Sequence, residues 1–225
     1  MSPSQEPNPN LDAAYAVESP EDNRRLYRDW AGTYDEDFVA ANDYIYHDRI
    51  AEIFVAELAS SSMDLTAALV LDVGCGTGVV GEALRARGVE LVDGIDLSPE
   101  MLAKAGEKSD DRGRTYRQLV EADLTTSISL ADEVYGGVVS AGAFTHGHLG
   151  PDSLDELLRT AAPGARFALG INANHFVQHG FADRFNELAE AGRISGLRVE
   201  DAAIYEGATG QDLDHISRVA VFTRN

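Results

Sequence analysis

Val70-Leu71-Asp72-Val73-Gly74-Cys75-Gly76-Thr77-Gly78 is the most informative stretch of this 225-residue chain. An apolar run ends in an acid, and glycine then stands at every second position. This pattern predicts a buried strand entering a tight turn, because glycine reaches positive φ angles readily and lets a ligand approach the backbone. The following residues, 79–87, have helical spacing. In doubly wound sheets, cofactors bind at such a turn, outside the carboxyl end of the first strand.

Downstream of Leu69, predicted strands and helices alternate, which favours βαβ units and a parallel sheet. Ser98 is a good N-cap and Pro99 suits a first helical position, so a helix is predicted after them. The predicted strands are 69–74, 91–96, 115–120, 137–141 and 166–171, followed by a hairpin of 198–206 and 216–223. The other predicted helices are 79–87, 129–134, 150–162 and 181–192.

The N-terminal part has a different character from the rest. Residues 1–20 are rich in Pro, Asn, Ser and Glu, which predicts a mobile or loosely packed lead-in. Apolar residues then recur every four positions, at Leu26, Trp30, Tyr34 and Phe38, as on one helical face that Gly32 divides. A firm helix is predicted over 45–58. We therefore expect three regions: the lead-in 1–20, a helical lid 21–64 over the cofactor end, and a main domain 65–225.

The composition limits the partners and the compartment. A formal net charge of −20 opposes binding to nucleic-acid phosphates or anionic lipid, so neither partner is expected. The single cysteine, Cys75, excludes an internal disulfide. No long apolar run or signal-like start is present. These features predict a cytoplasmic protein that does not associate with membranes.

Three motifs in order resemble those of class I S-adenosylmethionine-dependent methyltransferases. Residues 72–78 are similar to the first motif, 94–102 to the second-strand motif and 121–124 to the third-strand motif. The similarity extends over roughly residues 26–223. It implies a Rossmann-like α/β fold, a three-layer αβα sandwich whose seven-stranded, mostly parallel sheet has the order 3-2-1-4-5-7-6 with strand 7 antiparallel.

The motif spacing supports the same cofactor. Asp96 lies 18 residues past Gly78, near the ~20 expected of a carboxylate that binds ribose hydroxyls. The third glycine comes one position early for a dinucleotide fingerprint, and Val79 follows it, which favours an amino-acid-bearing cofactor over a pyrophosphate. The resemblance implies cofactor contacts from Tyr34, Asp72, Gly74, Cys75, Gly76, Gly78, Asp96, Leu97, Met101, Ala122, Asp123, Leu124 and Ser140. Core packing for Leu97 and Met101, and helix capping for Asp123, are the structural alternatives.

The loop after the fourth strand, 140–148, should face the reactive methyl group. It lacks the Asp/Asn-Pro-Pro-aromatic motif of many amine methyltransferases. His146 is the predicted general base, with loop packing as the alternative. No metal site is expected, because the His146/His148 and His175/His179 pairs have no identifiable third ligand. The predicted substrate-binding residues are Tyr27, Tyr46, His47, His148 and Asn172.

The predicted activity is methyl transfer from S-adenosyl-L-methionine to the oxygen, nitrogen or sulfur of a small molecule by direct displacement, leaving S-adenosyl-L-homocysteine. No insertion is long enough for a separate recognition domain, so a small-molecule acceptor is expected, on a monomer or homodimer. Two alternatives stay open: a non-catalytic S-adenosylmethionine-binding sensor or assembly protein, and a nicotinamide-dependent oxidoreductase.

Overall fold

The computed structural model describes residues 20–35, 44–61, 63–145, 148–206 and 215–225. Its strands are β1 Leu69–Val73, β2 Leu91–Asp96, β3 Ser109–Asp110, β4 Gly113–Arg114, β5 Gln118–Glu121, β6 Tyr135–Phe144, β7 Ala161–Asn172, β8 Ile194–Ala203 and β9 Ile216–Arg224. Its helices are α1 Pro20–Trp30, α2 Tyr46–Ser60, α3 Val79–Ala86, α4 Pro99–Glu107, α5 Leu154–Thr160, α6 Ala173–Gln178 and α7 Phe181–Glu190, with a 3-10 turn at Pro151–Ser153.

Seven strands form one sheet in the order β5-β2-β1-β6-β7-β9-β8. β9 runs antiparallel between β7 and β8, and the other pairings are parallel. Counted along the chain, this is the predicted order 3-2-1-4-5-7-6. One buried apolar cluster packs α2, α3 and α4 on one face, and another packs α5, α6 and α7 on the other. The three-layer fold is therefore confirmed.

Helix α2 lies close against the middle of the sheet because two strand residues lack side chains. A Cβ on Gly170 would lie 1.4 Å from the Tyr46 hydroxyl oxygen, and one on Gly137 would lie 2.5 Å from Phe54 Cζ. The Tyr46 hydroxyl also forms a 2.5 Å hydrogen bond with Ser217 Oγ on β9. Helix α2 is thereby fixed to three neighbouring strands, β6, β7 and β9.

Some local predictions were wrong. Residues 129–134 form turns rather than a helix, and the Arg159 side chain donates to the carbonyl groups of Ile128 and Leu130 there. The predicted helix 150–162 is shorter, because α5 ends at Thr160 and β7 already begins at Ala161. Helix α6 and the β3–β4 hairpin were not predicted.

The lead-in 1–19 and Phe38 lie outside the described residues. None of the helices in the described ranges has both the length and the apolar character needed to cross a membrane.

Candidate cofactor and acceptor site

A cavity of about 200 Å³ lies at the carboxyl ends of the parallel strands. One end is bordered by residues that follow β1, β2 and β5: Gly74, Gly76, Asp96, Leu97, Met101, Ala122, Asp123, Leu124 and Thr125. The rest is bordered by residues of the predicted lid, by the end of β6 with the segment after it, and by the β7–β9 region: Tyr27, Trp30, Tyr34, Tyr44, Tyr46, Ala141, Gly142, Ala143, Phe144, Thr145, His148, Leu149, Gly170, Asn172, Ile204, Tyr205 and Ser217.

The glycine turn owes its shape to positive φ angles of 65°, 53° and 93° at Gly74, Gly76 and Gly78. A Cβ on Gly76 would meet nothing within 4 Å, so that glycine is required by its backbone angle and leaves an open approach. Gly78 is different, since a Cβ there would lie 2.8 Å from the ring of Tyr116. The Gly74 N–H donates to the Ile95 carbonyl oxygen at 2.8 Å, which holds the turn against β2.

Asp96 connects the glycine turn with the turn that follows β2. Its Oδ2 accepts a hydrogen bond from the Gly76 N–H at 2.8 Å, and its Oδ1 accepts one from the Ser98 N–H at 2.9 Å. Burial raises the pKa of the Asp96 carboxyl, while backbone N–H groups of Ser98, Gly76 and Leu97 favour the carboxylate. Both oxygens are thus held by the backbone in a carboxylate that still borders the cavity.

Asp72 lies beneath the turn and is fully buried. Its Oδ2 accepts a hydrogen bond from the Tyr116 hydroxyl at 2.7 Å, whereas its Oδ1 has no hydrogen-bond partner among the described residues. Burial raises the pKa of this carboxyl to about 7, against the effect of the Tyr116 hydrogen bond. A buried oxygen without a partner is costly, so it indicates a place where a hydrogen-bond donor or a cation would be favoured.

Asp123 is held in its own tight turn at the other side of the cavity. Its Oδ1 accepts from the Thr125 N–H at 2.9 Å and from Thr125 Oγ1 at 2.6 Å. Nearby, Ser98 caps α4 by accepting from the Met101 N–H at 3.2 Å. This cap places the Met101 side chain on the cavity wall.

Aromatic rings of α1 and of the residues just after it line one part of the cavity. Trp30 is buried at 2% exposure, and its ring meets that of Tyr34 edge to face at a centroid distance of 4.9 Å. Tyr27 stacks on Trp30, with its ring centroid 5.9 Å from that of His148. Burial, reinforced by the neighbouring Tyr27, raises the pKa of Tyr34 well above its usual value. Tyr34 therefore stays neutral over the physiological pH range.

A second aromatic group closes the cavity near β7 and β9. The backbones of Tyr44 and Tyr205 form an antiparallel bridge, and their ring centroids are 6.0 Å apart at an interplanar angle of 64°. The Tyr46 ring lies 6.3 Å from that of Tyr44. Asn172 and Ser217 border the same region.

Comparison with known proteins gives the family. Residues 70–164 match the model of the methyltransferase domain family, over the glycine turn and all three motif strands. These residues form a methyltransferase domain, which makes the chain an S-adenosylmethionine-dependent methyltransferase. The methyltransferase is 27% identical over 205 residues to human methyltransferase-like protein 27, across 91% of this chain and 76% of that protein. It is also 36% identical over 89 residues to a ubiquinone biosynthesis O-methyltransferase of Methylobacterium nodulans, across 36% of this chain and 35% of the relative.

Solved structures agree on the fold of this methyltransferase. The magnesium protoporphyrin IX methyltransferase of Synechocystis PCC 6803 with bound S-adenosylmethionine has a TM-score of 0.62 at 20% identity, covering 100% of both chains. The [4+2]-cyclase SpnF has a TM-score of 0.64 at 16% identity, covering 93% of this chain and 97% of its own. S-adenosylmethionine is the cofactor of the family.

Five predicted site residues do not reach the cavity wall of the methyltransferase. Asp72 lies against Tyr116, and a Cβ on Gly78 would face that same ring. Cys75 is 3% exposed and packs toward Gly94, and its burial raises the thiol pKa. Ser140 Oγ donates to the Val73 carbonyl oxygen at 2.8 Å. The His47 ring stacks on Tyr44, at a centroid distance of 5.6 Å. These five residues thus lie behind the described cavity wall, and their contact with a ligand stays a prediction.

The other predicted site residues border the cavity, with one exception: His146, the predicted base, lies outside the described residues. His175 and His179 have ring centroids 4.1 Å apart, and no group of three potential metal ligands occurs in the ranges that the structure describes.

Sequence reasoning missed several residues of the site. For Tyr116, which donates a hydrogen bond to Asp72, the sequence held one indirect signal. Gly81 stands inside a predicted helix, where glycine is unusual, and a Cβ there would lie 2.4 Å from the Tyr116 hydroxyl. The lining residues Tyr44, Tyr205 and Ser217 had none, because Tyr44 meets Tyr205 through an isolated antiparallel bridge and Ser217 reaches the cavity through the pairing of β7 with β9.

Proposed function

We propose that this methyltransferase transfers a methyl group from S-adenosylmethionine to a small molecule held against the aromatic part of the cavity. One observation carries the proposal: the Gly76 N–H and the Asp96 carboxylate are joined at the edge of a cavity that aromatic side chains cover. That arrangement offers backbone groups and a carboxylate at one end and a compartment lined by aromatic side chains at the other.

The residues at the cofactor end of the cavity would fit the ribose, the adenine and the methionine part of S-adenosylmethionine. The Asp96 carboxylate would accept hydrogen bonds from the ribose hydroxyls. Leu97 and Met101 would flank the adenine, with Asp123 accepting from its amino group. The glycine turn would border the methionine part of the cofactor. Behind the backbone of this turn lies the buried Oδ1 of Asp72, which has no hydrogen-bond partner among the described residues and would favour a positive charge nearby. Behind the wall, Cys75, Gly78 and Ser140 would support the turn rather than contact the cofactor.

When bound, the cofactor supplies a methyl group on a positively charged sulfur that leaves readily. The chain's own contribution is then to hold the acceptor in line and to exclude water. Trp30, Tyr27 and Tyr34 would do this from the lid, and Tyr46 and Asn172 from the opposite side. His148 borders the cavity and would contact the acceptor, whereas a role for His146 as the base stays a prediction.

A small acceptor is supported by the short connection after β6, which contains no inserted domain between Phe144 and the turn at Pro151. Two curated relatives carry methyltransferase names, and one of them is an O-methyltransferase of ubiquinone biosynthesis. A monomeric or homodimeric state and a cytoplasmic location stay predictions.

The test is a two-step measurement on the full chain. Calorimetric titration with S-adenosylhomocysteine, and separately with NAD, reports the cofactor; we expect binding of the first and none of the second. An acceptor screen with pooled small metabolites then follows S-adenosylhomocysteine formation. Cofactor binding without product from any pool would instead support a non-catalytic sensor. Asp96→Asn should weaken cofactor binding, and Asp111→Asn is its matched control, since Asp111 is an exposed turn residue outside the cavity lining.

A further inference from the structure

We propose that the acceptor is an uncharged molecule with a flat ring, bound against a wall formed by Tyr44, Tyr46 and Tyr205 with Asn172 and Ser217, which we call the acceptor wall. This inference rests on the proposed function and adds the substrate class to it.

The sheet order separates the acceptor wall from the cofactor end. Asp96 and Asp123 follow β2 and β5, on one side of β1, whereas Asn172 and Ser217 lie on β7 and β9, on the other side of β6. Between them, β6 brings Gly142 to the cavity, where a Cβ would lie 3.9 Å from the Tyr44 hydroxyl. A molecule against the acceptor wall would therefore face the cofactor across the end of β6.

The described lining of the cavity offers no Lys or Arg to an anionic acceptor. All 18 Lys and Arg residues of the chain fall within the described ranges, and none of them borders the cavity. A carboxylate or phosphate would lose its hydration there without gaining an ion pair, which is strongly unfavourable. The net charge of −20 opposes its approach as well.

A cationic acceptor finds no carboxylate at the acceptor wall. The two carboxylates on the described lining, Asp96 and Asp123, both belong to the cofactor end and already accept backbone hydrogen bonds. The acceptor wall itself presents hydroxyl and amide groups, which pair with neutral donors and acceptors.

The rings of the acceptor wall favour a flat partner. Tyr44 stands at 64° to Tyr205 and at 84° to Tyr46, so faces and edges are both presented. Such walls bind aromatic rings by offset stacking and edge-to-face contact, beyond the simple burial of area. Burial raises the pKa of Tyr46 and keeps its hydroxyl protonated.

Three ring-matched probes test the charge preference: tyrosol, tyramine and 3-(4-hydroxyphenyl)propionate, which share a phenol and a two-carbon spacer but end in a hydroxyl, an ammonium and a carboxylate. Each is titrated into the full chain saturated with S-adenosylhomocysteine, by calorimetry and by the fluorescence of Trp30, the single tryptophan, which borders the cavity. We expect tyrosol to bind at least about 10-fold more tightly than the carboxylate and more tightly than tyramine. The proposal would be overturned if tyramine or the carboxylate bound most tightly of the three. It would also be overturned if none of the three probes bound at concentrations up to about 10 mM.

Two variants locate the binding. Tyr205→Leu should weaken tyrosol binding at least about 5-fold, because a stacking ring is lost, while Tyr205→Phe should keep it within about twofold. Both variants should bind S-adenosylhomocysteine as the unaltered chain does. If Tyr205→Leu folds and binds tyrosol normally, the acceptor wall is not the site. Failure of the unaltered chain to bind S-adenosylhomocysteine contradicts the proposed function itself, whereas failure of the ring probes alone contradicts only this inference.

Discussion

Thr77 Oγ1 donates a hydrogen bond to Asp35 Oδ1 at 2.5 Å and so fastens the segment after α1 to the glycine turn. Lys108 Nζ lies 3.0 Å from the other oxygen of Asp35 and 2.6 Å from Glu82. Burial lowers the pKa of Lys108, but the carboxylates of Glu82 and Asp35 outweigh it and raise the pKa overall. The lid is therefore anchored beside the cofactor end by one hydroxyl and one ammonium.

We predict that Thr77→Val loosens the lid without unfolding the protein. Losing one hydrogen bond to a carboxylate should cost about 1.5–3 kcal/mol, seen as faster amide hydrogen exchange over residues 20–35 and weaker S-adenosylhomocysteine binding. Thr66→Val is the matched control, since it removes a hydroxyl bonded to Asp64 on an exposed turn. Equal exchange in both variants would show that the Thr77 contact does not hold the lid.

Asp96→Ala should weaken binding of S-adenosylhomocysteine by at least about 1.5 kcal/mol, the scale of lost charge-assisted hydrogen bonds. The loss includes the support that Asp96 gives to the Gly76 and Ser98 N–H groups. Calorimetric titration measures it, and an affinity equal to that of the unaltered chain would remove Asp96 from the site.

Asp72 should make the cofactor-free protein less stable as the pH rises. Its folded pKa of about 7 lies above the unfolded value near ~4, so the folded state binds more protons between these pH values. The stabilising contribution of Asp72 is fully present below about pH 4 and declines toward pH 7. Urea unfolding at pH 5 and pH 8 measures this decline. Asp72→Asn should reduce it, leaving the smaller contribution of Asp96, whose pKa is also raised.

Asp110 serves as the control for the pH experiment, because its pKa is lowered in the folded protein, whereas that of Asp72 is raised. Hydrogen bonds from Arg85 and Arg112 lower its pKa, so its stabilising effect is present above pH ~4 and is lost at lower pH. Asp110→Asn should therefore leave the decline between pH 5 and pH 8 unchanged. A decline that persists in full in Asp72→Asn would contradict the assignment to Asp72.

Gly137→Ala should destabilise the fold by about 1–3 kcal/mol, because the added Cβ would lie 2.5 Å from Phe54 Cζ. Phe54→Leu in the same chain should recover part of that loss, which a double-mutant cycle in urea would detect. Gly106→Ala is the control: its Cβ would meet Leu119 at an ordinary 3.5 Å, inside α4, where alanine favours the helix. Additive losses in the cycle would show that the two residues do not clash.

The family resemblance implied the correct sheet order, and local signals in the sequence were sufficient for the strands that carry the motifs. The bounds of β2 matched residue for residue, because the apolar run ends sharply in Asp96 and the Ser98-Pro99 cap follows. Local signals of this kind need no knowledge of distant contacts.

The aromatic part of the site could not be predicted in the same way. Tyr44 and Tyr205 are far apart in the sequence. They meet because the Ile45 N–H donates a hydrogen bond to the Ile204 carbonyl oxygen at 3.1 Å. The turns at 129–134 were mistaken for a helix, since their hydrogen bonds come from the Arg159 side chain rather than from a repeating backbone pattern. Long-range pairing and side-chain capping leave little trace in a single sequence.

The bond between Tyr46 and Ser217 joins residues 171 positions apart. During synthesis, α2 emerges from the ribosome early, but it has to wait for β9 before this contact can form. β9 lies between β7 and β8, so the acceptor side of the cavity depends on the last strand of the chain, whereas the cofactor side does not. A nascent chain stalled before Ser217 would already contain the glycine turn and Asp96, yet it would lack the strand that closes the acceptor wall.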